Sequence, residues 1–371
     1  MTKEKKVEID YFTEKPPFIN RVAEKKYFLE YFNSAPTNIL FVYWPKSTGK
    51  TTLINKIVWE ELSDKNFDIN YINMRDILIQ EFLDFKKLFF PETLKWNIKN
   101  FFKSSNIKWW FKVGIFWEFW FSWEAKDIDL IKTNFFVTVK KKILEQSQKG
   151  IKTVIILDEF QYLKDVFIDE KKEIRLINEL FKFFISITKQ YNLAHVVCLT
   201  SDSYYMEELY WDTKLSNTSD FYLMEHLSKK DIFYWLEEKE NIDKKIVEKI
   251  WKNLWGSVWE IWQVLVSYKN TWNYKEKLDD LLNVKYSLIE DWYATLYNTK
   301  NSDKKNKNFI TIISGIVEKW EYIQSYKENY IELIKELVDK DLWFYDTKQR
   351  KITANSKSLE IAFKRLLKEI K

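Results

Sequence analysis

Apolar and polar positions fall in blocks along this chain, and the blocks have two periods. Residues 38–43, Asn38-Ile39-Leu40-Phe41-Val42-Tyr43, form a nearly continuous apolar run. It is too short for a helix, and it predicts a strand buried on both faces. Phe67 to Asn73 predicts a second strand, Thr153 to Leu157 a third and His195 to Thr200 a further one. Helical spacing fills residues 50–61, then 76–103 with a break at Pro91, then 129–148 bounded by Gly150, then 171–190. Residues 107–123 alternate and read as a hairpin insertion. Strands alternating with helices imply an α/β fold, a parallel sheet sandwiched by helices.

The texture changes near residue 225. Ser228-Lys229-Lys230-Asp231 opens a helix, residues 242–254 continue as a second, and Ser257-Val258-Trp259-Glu260 has the spacing of a capping box that starts a third. Lys300 to Asn308 is polar and reads as a linker. Helices are expected near 309–320 and 328–340, a two-stranded wing from Leu342–Asp346 and Arg350–Thr353, and a last helix over 357–370. Three domains follow: an α/β core at 1–224, a helical lid at 225–299 and a winged-helix-like module at 300–371.

Chemistry enters at the end of the first strand. Trp44-Pro45-Lys46-Ser47-Thr48-Gly49-Lys50-Thr51-Thr52 fits the phosphate-binding pattern G-x-x-x-x-G-K-[ST] except at its first letter. The strand before it and the helix after it are the context that the pattern needs. In such a loop the backbone N–H groups of Lys46 to Thr51 cradle phosphates, Lys50 reaches the β- and γ-phosphates, and the Thr51 hydroxyl binds Mg²⁺. Asp158 and Glu159 end the third strand. Asp158 is placed to hold the magnesium through water, and Glu159 to activate an attacking water. Thr200, Ser201 and Asp202 follow the next strand; Ser201 and Thr200 are candidates for the γ-phosphate or the water, and a simple capped turn is the other reading. No arginine lies between Tyr204 and Leu227. Arg175 is read as a mid-helix surface residue, so a charge-neutralising arginine is expected from another protomer, or turnover is slow.

Trp44 is a physical misfit, since the first glycine of the loop turns sharply where a Cβ clashes. Composition bears on it. The chain has 18 Trp and only 5 Gly, where about 26 Gly are expected at roughly 7%. Together the two types number 23, close to that expectation. Trp109, Trp110, Trp117 and Trp255 also stand where glycine is useful. Some bacterial codes read UGA as glycine where other tables read tryptophan, so many of these Trp are expected to be glycine in the organism's own protein. Abundant Lys, Asn and Ile agree with an AT-rich genome.

Several classes are excluded or weakened. One cysteine, Cys198, sits in an apolar run, so no disulfide within the chain is possible. His195 and His226 are far apart and read as structural. The apolar stretch from Ile107 to Trp123 is broken by Lys108, Lys112 and Glu118, which speaks against a membrane span. The charged N-terminus lacks a signal segment, and a cytoplasmic location is expected. Net charge is +5, and residues 300–371 alone carry 16 basic against 11 acidic side chains. A nucleic-acid partner such as DNA and a plain solvated lysine surface both fit that excess.

Together these residues resemble the archaeal-type ATPase family, a branch of the P-loop ATPases with AAA+ and STAND-like organisation. Pro17 to Glu24 is similar to the family's opening F-x-x-R-x-x-E box, which places Arg21 near the adenine by implication. Ile156-Leu157-Asp158-Glu159-Phe160-Gln161-Tyr162-Leu163 looks very like the family's DE-F-Q-x-L segment. Thr200-Ser201-Asp202-Ser203 resembles its sensor strand end, Leu254-Trp255-Gly256-Ser257 its L-G-G-x lid segment, and Leu337 to Asp346 its winged-helix segment. The resemblance implies an ATP- and Mg²⁺-dependent switch that moves a C-terminal winged helix. It also implies self-association or a protein client. Three readings remain at this stage: a hydrolysing switch, a nucleotide-regulated DNA-binding or interaction module with little hydrolysis, and a nucleotide-free protein if Trp44 is real.

Overall fold

The computed structural model describes residues 16–46, 48–62, 66–76, 78–89, 135–296, 302–324 and 330–370. The expected hairpin at 107–123, with Trp109, Trp110 and Trp117, lies outside them. Elements in chain order are α1 (Val22–Asn33), β1 (Ile39–Tyr43), α2 (Lys50–Lys56, continued by a π-helical turn Ile57–Leu62), β2 (Phe67–Asn73) and α3 (Phe82–Phe89). Next come α4 (Phe135–Gln148), β3 (Lys152–Asp158), α5 (Leu176–Ile185), β4 (Ala194–Thr200), α6 (Ser203–Tyr210) and β5 (Ser219–Leu223).

The five strands form one parallel sheet in the order β5-β1-β4-β3-β2. Every residue of β1 and β4 is buried. Ile39, Phe41 and Tyr43 of β1 join the cluster under α4, α5 and α6, while Leu40 and Val42 join the cluster under α1 and α2. A strand with apolar side chains on both faces has to be covered on both, which is why its run is continuous rather than alternating.

β5 escaped the sequence reading because it is an edge strand, and none of its residues is fully buried. The helix expected at 171–190 begins at Leu176, and Arg175 precedes it as an extended residue that bridges Phe167. Arg175 is therefore not a mid-helix residue.

The C-terminal half contains α7 (Lys229–Phe233), α8 (Lys244–Leu254), α9 (Val258–Thr271) and α10 (Tyr274–Leu296). It continues with α11 (Ser302–Lys319), β6 (Tyr322–Ile323), α12 (Ile331–Asp339), β7 (Trp343–Asp346), β8 (Lys351–Ala354) and α13 (Lys357–Glu369). Ser228 and Asp231 make a reciprocal capping box at α7. The Ser257–Glu260 box does not form: Ser257 makes no side-chain cap bond, and Glu260 Oε1 instead accepts from Ser358 at 2.9 Å. The stretch read as a linker is mostly helix from Ser302 onward. Its buried stripe, Phe309, Ile312, Ile313 and Ile316, starts only in the third turn. α10 spans two cores: Leu278 packs with the lid helices, and Tyr286 to Leu296 pack with the C-terminal module. The strands β6-β8-β7 form a small antiparallel sheet beside α11, α12 and α13, a winged-helix-like arrangement.

Three tryptophans have positive φ: Trp255 (46°), Trp272 (57°) and Trp320 (69°). A side chain with a Cβ pays for that region, whereas glycine does not. Beside Trp255, a Cβ on Gly256 would lie 2.1 Å from the Leu227 carbonyl oxygen, so the lid packs at that point through bare backbone. Among the described residues no helix is long and apolar enough to cross a membrane.

Candidate functional site

β1, β3 and β4 are neighbours in the sheet, so their carboxyl ends bring the loop after Tyr43, the Asp158-Glu159 pair and Thr200-Ser201 to one edge. The loop from Trp44 leads into α2 through Gly49, whose φ of 83° turns the chain into the helix. Ser47 lies outside the described residues, as does the Thr51 side chain. Thr52 is exposed, and Pro45 is half-buried. Thr48 is buried, and its hydroxyl makes no hydrogen bond. That leaves a free polar group inside the loop.

Lys50 is the hub. Its ammonium pairs with Asp158 Oδ1 and lies 3.0 Å from Glu159 Oε1, with all three side chains buried. Asp158 Oδ2 accepts from the Tyr71 hydroxyl at 2.6 Å. Glu159 has a left-handed backbone, φ 56°, a strained conformation of the kind that gathers at functional sites. Its Oε2 accepts from Gln161 at 2.7 Å and from Ser201 at 3.0 Å, and Arg75 lies 2.9 Å from its Oε1. Burial pushes the Glu159 carboxyl up, but Lys50, Gln161 and Arg75 outweigh it and hold it below the ordinary glutamate value. Thr200 Oγ1 donates to Gln161 Oε1 at 2.7 Å, which orients that amide.

Sequence reasoning did not single out Arg75 or Tyr71. Both come from β2 and the 3₁₀ turn Met74–Asp76 that follows it. They reach the site because β2 pairs with β3, Asn73 opposite Asp158, and no motif marks them.

Two further residues define the loop's surroundings. Arg21 is buried, pairs with Glu24 and donates from Nη2 to the Thr48 carbonyl at 2.6 Å. It braces the phosphate loop from the N-terminal side. Trp44 is buried, with Lys50 Nζ 4.2 Å from the centre of its indole. The indole thus occupies space beside the very ammonium that the loop presents.

Among the described residues no cluster of three His, Cys, Asp or Glu side chains is arranged for a metal. Mg²⁺ dehydrates reluctantly, and in nucleotide sites it binds through one or two carboxylates plus substrate phosphates. Here the Lys50 ammonium and the Tyr71 hydroxyl take the two Asp158 carboxylate oxygens.

A profile described as an ATPase domain predominantly from Archaea matches residues 18–264. The chain belongs to this archaeal ATPase family. Two uncharacterized ATP-binding proteins of Methanocaldococcus jannaschii are each 31% identical to it over 332 and 335 residues, covering 89% of this chain and 93% and 89% of their own lengths. Among solved structures, a Walker-type ATPase of Pyrococcus abyssi matches with a TM-score of 0.61 at 13% identity, covering 94% of this chain and 96% of that one. The matched span contains the phosphate loop, the Asp158-Glu159 pair, Ser201 and the lid up to α9. The chain itself places this matched span on a parallel sheet covered by helices, followed by a C-terminal helical and winged-helix-like region.

Proposed function

We propose that this archaeal-family ATPase binds ATP with Mg²⁺ at the Trp44–Thr52 loop, hydrolyses it slowly, and passes its nucleotide state to the C-terminal module. The observation that carries this reading is the Lys50 ammonium held against both Asp158 and Glu159 at the strand ends beneath the loop. A buried lysine flanked by two carboxylates is poised to trade them for a triphosphate. When Lys50 turns to the β- and γ-phosphates, Glu159 loses its strongest partner and gains basicity for the water proton. Ser201, 3.0 Å from Glu159 Oε2, orients that carboxylate. Mg²⁺ supplies charge neutralisation on the phosphates, with the Thr51 hydroxyl and Asp158 as its protein partners. Arg21 braces the loop backbone through the Thr48 carbonyl.

The reading includes glycine at position 44 in the organism's own protein. The glycine deficit, the indole beside Lys50 and the positive φ of Trp255, Trp272 and Trp320 support it. Mass spectrometry of the protein purified from its source organism decides it: tryptophan at position 44 would end the codon reading.

A second reading, a nucleotide-regulated module with little turnover, is favoured by the crowd of donors on Glu159. No described arginine between 204 and 227 is available to neutralise charge, so a homo-oligomer that lends one from its neighbour remains part of the proposal. DNA is the weaker partner. α12, between β6 and β7 of the winged-helix-like module, carries Glu332, Glu336 and Asp339 against Lys335. A protein client fits that acidic helix better. Phosphate release by the full chain with Trp44→Gly, abolished in Lys50→Ala, supports the first reading. Tight ATP binding without release supports the second.

A further inference from the structure

The C-terminal module touches the phosphate loop itself. Asn355, just past β8, accepts the backbone N–H of Lys46 on its Oδ1 at 3.0 Å. Its Nδ2 donates to the Asp341 carbonyl at 3.1 Å, its own N–H donates to the Leu342 carbonyl at 3.2 Å, and its carbonyl lies 3.3 Å from His226 Nε2. Asn355 is buried with all of its polar groups engaged, and it joins core, lid and module at one point. Asp341, which has a φ of 58°, adds an ion pair with the Lys46 ammonium.

Around this contact the module is laid onto the ATPase core. The Phe344 ring stacks on Tyr43, the last residue of β1, at 6.2 Å. The Tyr345 N–H donates to buried Ser203 Oγ at 3.0 Å, one residue past the Thr200-Ser201-Asp202 strand end. Lys348, in the turn between β7 and β8, donates to the Phe221 carbonyl at 2.8 Å. Lys335 of α12 lies 3.9 Å from Glu208 of α6. The wing turn and one side of α12 therefore face the core.

We infer that Asn355 and Asp341 are a latch, a nucleotide sensor that the C-terminal module places on Lys46. The inference rests on the nucleotide reading above. A backbone N–H makes one good hydrogen bond, so Asn355 Oδ1 and a phosphate oxygen compete for the Lys46 amide. The Asp341 carboxylate beside a triphosphate adds like-charge repulsion, and the triphosphate also draws on the Lys46 ammonium. The exposed Lys46–Asp341 pair contributes little by itself, which leaves Asn355 as the principal element. Coupling of this kind is reciprocal. The latched module weakens nucleotide binding, and bound triphosphate loosens the module, freeing the wing turn and α12 together.

The test uses the full chain with Trp44→Gly. A non-hydrolysable ATP analogue and ADP are titrated by calorimetry into this protein and into its Asn355→Ala and Asp341→Asn variants. The latch predicts that Asn355→Ala tightens the analogue by about 5- to 100-fold, and Asp341→Asn by less. Amide exchange of the unmutated module provides the variant-free arm, since the analogue is expected to speed exchange across 341–355. Equal affinity in parent and variants, or unchanged exchange at saturating analogue, overturns the latch while leaving the nucleotide site standing. A parent that binds no analogue overturns the nucleotide reading and the latch with it.

Discussion

The Arg75 guanidinium lies 2.9 Å from Glu159 Oε1, yet Arg75 is half exposed while Glu159 is 2% exposed. A solvent-facing cation thus reaches the carboxylate proposed as the base. Together with Lys50 and Gln161 it depresses the basicity of that group. Arg75→Ala is expected to raise single-turnover hydrolysis several-fold with unchanged ATP affinity, as rapid-quench measurement will read. A fall of about a thousandfold would instead make Arg75 a group that stabilises charge on the transferring phosphoryl.

Lys50→Met leaves Asp158 and Glu159 buried side by side with only the half-exposed Arg75 as a cation. Removing one partner from a buried charge cluster costs about 3–5 kcal/mol. Urea denaturation is expected to show a loss of that order at pH 7. Part of it is recovered at lower pH, because Glu159, no longer held down by Lys50, then takes up a proton more readily. An unchanged midpoint would mean that the cluster is solvated.

The sheet and the loop were legible because they rest on local rules. Four apolar runs, a lysine after Gly49 and two carboxylates at a strand end are all contiguous in sequence. Arg75 was not legible, because strand order alone brings it to Glu159. Asn355 was still less so, at a sequence separation of 309 from Lys46. The start of α11 was hidden by composition. Its first two turns are polar on every side, and only Phe309 onward packs, so the segment looks like a linker until its contacts are known. Glu260 misled in the same way, since its carboxylate is spent on Ser358 rather than on a helix cap.

His195 is buried against the Tyr31 and Phe32 rings. Burial, with Lys152 nearby, pushes its pKa down from 6.5 to about 4. The unfolded chain therefore binds a proton that the folded chain refuses between those values. Stability is full above about pH 6.5 and falls as pH drops toward 4, by about 3 kcal/mol for this group. His195→Phe is expected to flatten that part of the profile in urea titrations at pH 7.5 and 4.5. An identical slope in the variant would count against the neutral buried imidazole.

The tryptophans separate by backbone. Trp272 is 78% exposed and has a φ of 57°, so Trp272→Gly is expected to stabilise the chain by about 1 kcal/mol. Trp235 is buried, stacks on Trp262 at 6.4 Å and donates to Glu240 at 3.1 Å. Trp235→Gly is expected to cost at least about 3–5 kcal/mol. Thermal unfolding of the two variants distinguishes a position built for glycine from one built for an indole. Similar losses at both would remove the distinction.

The central claim is that Lys50, Asp158 and Glu159 form a working ATP site once position 44 carries glycine. Calorimetric ATP binding and phosphate release, measured side by side for the Trp44→Gly chain and for its Lys50→Ala and Glu159→Gln versions, test it most directly. The expected result is one ATP bound per chain, binding lost in Lys50→Ala, and binding kept in Glu159→Gln with turnover lower by about a hundredfold or more. A Trp44→Gly chain that folds and still binds no ATP would contradict it.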